Sequence, residues 1–244
     1  MTYKVLTSNG LLNKLGDGSY NFRHLLGAEY VASQMQTLTA EVIETHQGIY
    51  YANQVHGNVV KELGIEAIDP NQVHQIEGAD GFITNVPGLA IVIKFADCTP
   101  IVIYDPIQKV QASVHSGWRS TKERISQVAV RQMLDHYGSK LSDLIVYIGP
   151  TIDQVNYEVG SEVYHAFEGF DQRDQFFVSS SNAGKYRLDM QTVNRLLIEE
   201  MGIAQSQIYV DHRSTFTDQQ LHSARREGSG YGLNALVTVI DPNH

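Results

Sequence analysis

Short runs of apolar and β-branched residues, each closed by turn formers, predict strands over 89–95, 101–104, 110–114, 144–148, 207–210 and 235–240. A different period marks two helices. Within 121–137, Ile125, Val128, Ala129 and Met133 share one helical face. Within 189–201, Val193, Leu196, Leu197 and Met201 repeat the pattern, with Asp189 placed to cap the N-terminus and Gly202 to occupy C′. A weaker helix is expected over 160–167.

Strands and helices interleave, and at least one strand pair reads as a hairpin. The expected class is therefore α+β (mixed α/β), a single domain of mixed β-sheets packed with helices. No repeat, low-complexity tract or linker divides the 244 residues. The prolines sit mainly at turns: Asp69-Pro70-Asn71, Val86-Pro87-Gly88, Asp105-Pro106, Gly149-Pro150 and Asp241-Pro242.

The hairpin joins Ile101–Tyr104 to Val110–Val114 across Pro106 and Ile107. A turn centred on those two residues pairs Ile103 with Val110 and Ile101 with Ala112 on an apolar face. It pairs Val102 with Gln111 and Tyr104 with Lys109 on a mixed face. Continued outward, this register sets Cys98 opposite His115. Directly opposed residues have Cβ atoms about 4.5–5.5 Å apart, a gap that a shared metal or a thiolate–imidazolium pair can span. By itself Cys98 reads equally well as a small buried hydrophobe, and His115 as a structural histidine. Together, beside Asp97 and at a hairpin mouth, they favour chemistry.

Composition narrows the options. One cysteine excludes an intramolecular disulfide and any zinc framework of two or four thiolates, while ten histidines leave imidazole available. A net charge of −9 argues against a nucleic acid polymer as partner. The start, MTYKVLTSNGLL, lacks a basic region followed by an apolar core, and the apolar stretch 89–96 is far short of the ~20 residues of a membrane span. The expectation is a cytoplasmic protein with no membrane partner. Oligomeric state is not indicated, and a monomer is compatible.

Several ordered blocks carry a resemblance. Gln54-Val55-His56-Gly57, Gly78-Ala79-Asp80-Gly81, Ala96-Asp97-Cys98-Thr99-Pro100 and Val114-His115-Ser116-Gly117-Trp118-Arg119 follow one another. Ile148-Gly149-Pro150, Tyr157-Glu158-Val159-Gly160 and Ser223-Ala224-Arg225-Arg226-Glu227-Gly228 come after them. Over residues 50–240 the sequence resembles the YfiH-like family, formerly labelled multicopper polyphenol oxidase or laccase-domain (Cu-oxidase-4-type) proteins and now associated with purine nucleoside phosphorylase activity. The resemblance implies one such domain over 1–244, in a fold grouped with a deamidating toxin. It also implies a metal site of His56, Cys98 and His115, which would be the catalytic residues. Three protein ligands with a fourth position open is the catalytic form of zinc, and sulfur with imidazole also accepts copper.

The activity implied is zinc-dependent phosphorolysis of adenosine, inosine or guanosine, with adenosine deamination and methylthioadenosine phosphorolysis in some members. Zinc deaminases carry H-x-E with P-C-x-x-C, and neither occurs here. Purine nucleoside and phosphate are the implied small-molecule partners. Arg119, Arg225 and Arg226, the last two beside the Gly228–Gly232 loop, are candidates for phosphate; the Arg225-Arg226 pair reads otherwise as solvated surface. Trp118 suits packing or purine stacking. Asp97 suits orientation of His115 or of a backbone turn.

The sequence departs from the family pattern at Ser120, at Ser214-Thr215 and at Tyr231, where a glycine, a cysteine and a basic residue are usual. The N-terminal family pattern is hard to match within 21–36. Alternatives are a thiol hydrolase using Cys98 and His115, peptidoglycan-precursor editing included, a copper-binding polyphenol oxidase, and a non-catalytic metal- or nucleotide-binding protein.

Overall fold

The computed structural model describes residues 2–64 and 72–244, and the turn expected at Asp69-Pro70-Asn71 lies outside them. In chain order the strands are β1 (Leu11–Leu15), β2 (Ile49–Asn53), β3 (Val60–Glu62), β4 (Val73–Glu77), β5 (Gly81–Thr84), β6 (Ala90–Phe95), β7 (Thr99–Asp105) and β8 (Val110–Ser116). There follow β9 (Ile145–Ile148), β10 (Glu158–Gly160), β11 (Phe177–Ser179), β12 (Lys185–Leu188), β13 (Ile208–Val210) and β14 (Asn234–Ile240). They form a five-stranded sheet ordered β1-β14-β6-β2-β4, a six-stranded sheet ordered β13-β9-β7-β8-β5-β3, and a small sheet ordered β10-β12-β11. Both large sheets mix parallel and antiparallel pairs, as expected.

Alternation along the strands sets the layers. On β6 and β2, Ala90, Val92, Ile49 and Tyr51 pack with Val31, Met35 and Leu38 of the helix Ala28–Ala40. Their neighbours Ile91, Ile93, Tyr50 and Ala52 turn the other way and pack with Phe82 of the six-stranded sheet. The far side of that sheet is covered by Ile125, Ala129, Val130 and Met133 of the helix Ile125–Tyr137. The result is helix, sheet, sheet, helix, and it explains why β6, β7 and β8 are buried on both faces. A satellite aromatic cluster, including Phe167, Phe176 and Phe177, packs against the helix Met190–Glu199.

All six expected strands are present. Asp189 caps its helix by accepting from Thr192 N at 2.9 Å. Gly202 adopts φ +94, but the helix ends at Glu199, so this residue lies beyond C′. The weaker helix appears as Ser161–Ala166.

Two expectations are corrected. The helix expected over 121–137 is broken: Trp118–Lys122 ends, Arg124 takes the left-handed φ +60, and a second helix begins at Ile125. The Arg124 side chain pairs with Glu200 and lies over the Phe170 ring at 4.6 Å. The hairpin register is also shifted by two residues: Ile103 faces Ala112, Ile101 faces Val114, and His115 faces Pro100 instead of Cys98. Its loop has four residues, because the Asp105 carboxylate accepts from Ile107 N and Gln108 N and Lys109 closes the turn at φ +51. A slip of two keeps every side chain on its face, so burial patterning is blind to it.

Candidate metal centre and cleft

Gln54, just past β2, extends the sheet with its side chain. Its amide accepts from Lys94 N at 3.0 Å and donates to Lys94 O at 2.8 Å. The chain then curls so that three successive N–H groups, of Val55, His56 and Gly57, point at the Asp80 carboxylate from 3.1, 2.9 and 2.8 Å. His56 takes φ +61 to make this curl, a conformation a non-glycine residue holds only when its surroundings impose it. Asp80 is fully buried immediately before β5. On the neighbouring strand β8, the His115 ring nitrogen Nδ1 lies 3.0 Å from Asp80 Oδ1, and His115 N donates to Asp80 O at 2.7 Å. One carboxylate thus positions both histidines.

Cys98 comes from the turn between β6 and β7, where Asp97 adopts φ +79. Its Sγ is 4.0 Å from His56 Nε2, and the His56 and His115 rings meet edge to face with centroids 4.9 Å apart. The three ligand atoms lie within 4.8 Å of one another, forming the only such His/Cys/Asp/Glu cluster among the described residues. Cys98 and His115 therefore meet although they are not cross-strand partners, because the Asp97 turn carries the thiol back toward β8.

The donor set suits an ion. With Nδ1 facing Asp80, His115 keeps its Nε2 for coordination, the carboxylate–histidine arrangement that fixes the tautomer of a metal ligand. Tetrahedral zinc with bonds of about 2.0–2.3 Å places its ligand atoms roughly 3.5 Å apart, so binding draws the trio slightly inward. Gly117 leaves room for this: a Cβ there would stand 2.9 Å from His56 Cδ2 and 3.0 Å from Cys98 Sγ.

Without an ion, the groups polarise one another. Burial opposes ionisation of the Cys98 thiol, but His115 and His56 outweigh it and hold its pKa below the ordinary thiol value. Burial likewise disfavours the His115 imidazolium, and the Cys98 and Asp80 charges overcome that and raise its pKa. For Asp80, burial raises the pKa, but the His115 contact and the backbone donors prevail and lower it.

Asp97 has a different role from Asp80. Its carboxylate accepts from Thr215 Oγ1 at 2.6 Å and from Arg225 N at 2.7 Å, and its carbonyl accepts from Ile152 N at 3.1 Å. It organises the turn and ties it to the C-terminal arm, so of the two roles considered the backbone one holds. The carboxylate that orients His115 is Asp80. Its block stands in the sequence, but no local pattern assigns Asp80 the role.

Two cavities meet at Cys98. One, of about 410 Å³, is lined by Trp118, Arg119, Tyr157 and Arg225, and the other, of about 300 Å³, by His24, Lys94, His115 and Leu233. His56, Cys98 and Tyr231 line both. Arg119 is exposed, with its guanidinium 4.3 Å from the Trp118 ring centre, and its side chain makes no ion pair or hydrogen bond among the described residues. Trp118 also packs against the aromatic cluster. Arg225 donates to Glu158 O at 3.0 Å.

Arg226 is not in either cavity. Its guanidinium binds the carbonyls of Thr215, Phe216, Asp218 and Leu221 and the Glu227 carboxylate, so it clamps a loop. Of the departing positions, Ser120 points inward and is fully buried. Ser214 bonds Asp153. Tyr231, where a basic residue is usual, has the Arg23 guanidinium 4.5 Å from its ring centre. Among the described residues no helix is long and apolar enough to cross a membrane.

Comparisons with known proteins agree with the motif blocks. Residues 26–241 match the family described as multi-copper polyphenol oxidoreductase laccase. A protein of Bacteroides thetaiotaomicron named purine nucleoside phosphorylase is 30% identical over 200 residues, covering 80% of this chain and 71% of its own length. A Synechocystis protein of that name is 33% identical over 198 residues, covering 72% and 74%. A protein named adenosine deaminase, from an unknown prokaryote, is 33% identical over 160 residues, covering 64% and 60%. Among solved structures, the YfiH protein of Bacillus licheniformis superposes with a TM-score of 0.87 at 24% identity, covering 96% of this chain and 94% of its own, which establishes the shared fold.

Proposed function

The chain belongs to the multi-copper polyphenol oxidoreductase laccase family, the YfiH-like group its motif blocks resemble, and on that premise we propose that it is a zinc-dependent purine nucleoside phosphorylase. The reading is carried by the His56–Cys98–His115 cluster lying between two cavities, one of which holds Arg119 and Arg225. In phosphorolysis the entering phosphate and the departing base occupy opposite faces of the ribose anomeric carbon. A cleft with a cationic lobe on one side of a central site and a second lobe on the other suits that geometry. Arg119 and Arg225 bind the phosphate, for which planar guanidinium groups are matched. Tyr231, reaching both lobes, packs against the sugar. Asp80 keeps the proton on His115 Nδ1 and the ring in place. His56, Cys98 and His115 would hold the ion, which would supply Lewis acidity toward a substrate oxygen.

The single ligand cluster also bears on the older oxidase label. Reduction of dioxygen by several coppers needs several clusters of ligands, and the described residues form one. This favours nucleoside chemistry. Deamination of adenosine, which one relative's name carries, is an accessory activity of the same site in this reading. The compartment proposed is the cytoplasm.

One observation favours a second reading. Cys98, His115 and Asp80 form a nucleophile, base and orienting carboxylate in sequence, the arrangement of a thiol hydrolase. His56, close to Cys98, is superfluous to such a triad and required for a three-ligand metal site.

A single experiment separates the readings: inosine and adenosine turnover with and without phosphate, on protein of measured metal content. Free base released with ribose 1-phosphate, only when phosphate is present, supports phosphorolysis. Turnover that survives complete metal removal supports the thiol hydrolase instead. Purified, unchelated protein free of zinc overturns the zinc assignment.

A further inference from the structure

Lys94 interrupts an otherwise apolar strand. On β6, Ala90 and Val92 face the helix Ala28–Ala40, and Lys94 follows on the same face at the strand's end, only 8% exposed. Its backbone N–H and C=O are both held by the Gln54 side chain, so what it offers the smaller cavity is its side chain. The ammonium sits 4.8 Å from the centre of the Tyr51 ring and makes no ion pair or hydrogen bond among the described residues. Glu77 attracts it from farther away, but that carboxylate is held by Asn53 at 2.8 Å and Gln75 at 2.7 Å. Burial draws the amine's pKa down to about 8, which leaves it mostly charged at neutral pH. A nearly buried cation with an aromatic ring beside it and no anion in contact calls for a ligand that brings acceptors.

The two glutamine amides beside it are already committed. Gln54 uses both ends of its amide on Lys94's backbone, and Gln75 accepts from Tyr51 and donates to Glu77. Asn53 donates to Glu77. This matters for which purine fits. Adenine presents an acceptor at N7 beside a donor at N6, and an amide side chain reads that pair. A 6-oxopurine presents two acceptors, N7 and O6, which a cationic donor such as lysine reads. With the Gln54 and Gln75 amides engaged, Lys94 presents a cationic donor to the cavity where adenine needs an acceptor.

We infer that Lys94 forms the base-recognition subsite of the cleft and selects 6-oxopurines over 6-aminopurines through the N7 and O6 edge. The inference rests on the nucleoside reading of the cleft, and its test is arranged to fail separately from it. Binding of the free bases hypoxanthine and adenine is measured by calorimetry on the metal-loaded protein, its Lys94→Met variant and its Lys94→Gln variant, with melting temperatures to check folding. Phosphorolysis of inosine and adenosine is measured alongside.

Wild-type protein is expected to favour hypoxanthine by roughly 5- to 100-fold. Lys94→Met removes the preference by weakening hypoxanthine, with adenine little changed. Lys94→Gln, which restores a donor–acceptor pair, moves the preference toward adenine. Equal wild-type binding of the two bases, or no binding of either, overturns the inference. So does an undiminished preference in either folded variant. A raised KM for phosphate in Lys94→Met with hypoxanthine binding intact also overturns it, by making Lys94 a phosphate ligand. If base preference collapses as expected while no phosphate-dependent cleavage occurs, the subsite stands and the phosphorylase reading falls. If cleavage occurs and preference ignores Lys94, the reverse holds.

Discussion

On one side of Cys98, His115 is 3% exposed and its ring is held by a carboxylate that is fully buried and bound by three backbone N–H groups. On the other side, Arg119 stands in solvent with the Trp118 ring beneath it, on a helix of five residues. The first half is built on and beside paired strands, which hold the side chains proposed as metal ligands in fixed positions. The second half is a pair of long side chains on short helices, Arg119 on Trp118–Lys122 and Arg225 on Ala224–Glu227, proposed above to hold phosphate. Mutations on the two sides should differ in kind: folding and metal binding change together on the buried side, and substrate affinity changes alone on the exposed side.

The strongest challenge to that contrast is Asp80→Ala. It leaves three backbone N–H groups and the His115 ring nitrogen without their partner, and should cost about 3–5 kcal/mol in urea unfolding, with loss of bound metal. Asp80→Asn keeps the shape and should weaken metal affinity by about 10- to 100-fold, read by competition with a chelator. A stable, fully metallated Asp80→Ala protein would remove the basis of the comparison.

Gly117→Ala comes next. The residue has an ordinary φ of −77, so its cost arises only from the Cβ pressed on His56 and Cys98. About 1–3 kcal/mol of destabilisation is expected in the metal-free protein, with weaker zinc binding. Arg119→Ala should leave stability within about 0.5 kcal/mol and raise the KM for phosphate roughly tenfold. A melting temperature that falls as far as that of Asp80→Ala would show the exposed half to be structural.

A further contrast is a pH dependence. Lys94 has a pKa of about 8 in the folded protein, against an ordinary 10.5. Between those values the unfolded chain holds a proton that the folded chain has released, so folding stability gains as pH rises through that window. Denaturation curves from pH 7 to 10.5 should show wild-type protein gaining on Lys94→Met, and parallel curves would place the amine in solvent.

Much of the fold is legible in the residues. Six strands with apolar and β-branched runs were identifiable, as was the helix capped by Asp189, because each carries its own signal in a few consecutive positions. The strands that escaped notice are mostly short, and β4 runs along a sheet edge with no fully buried position. The break at Arg124 also escaped, because the apolar face of that helix begins only after it.

Within the site, Cys98, His56 and His115 were recognisable from ordered sequence blocks, and their residue types already pointed to a metal or a thiolate. What brings them together was not recognisable. Patterning cannot see a register slip of two, since alternate residues share a face, and the Cys98–His115 contact comes from a turn at Asp97 and not from the ladder. Nor can it divide work between Asp80 and Asp97. Both are aspartates within motif blocks, yet one faces two histidines and the other a threonine and a backbone amide. Arg225 and Arg226 are adjacent in the chain, and one side chain reaches the cleft while its neighbour clamps a loop. The chemical inventory and the strand and helix periods are local properties and can be read from consecutive residues. Which carboxylate, which arginine and which lysine face the cleft was decided by tertiary packing, because orientation depends on partners distant in the chain.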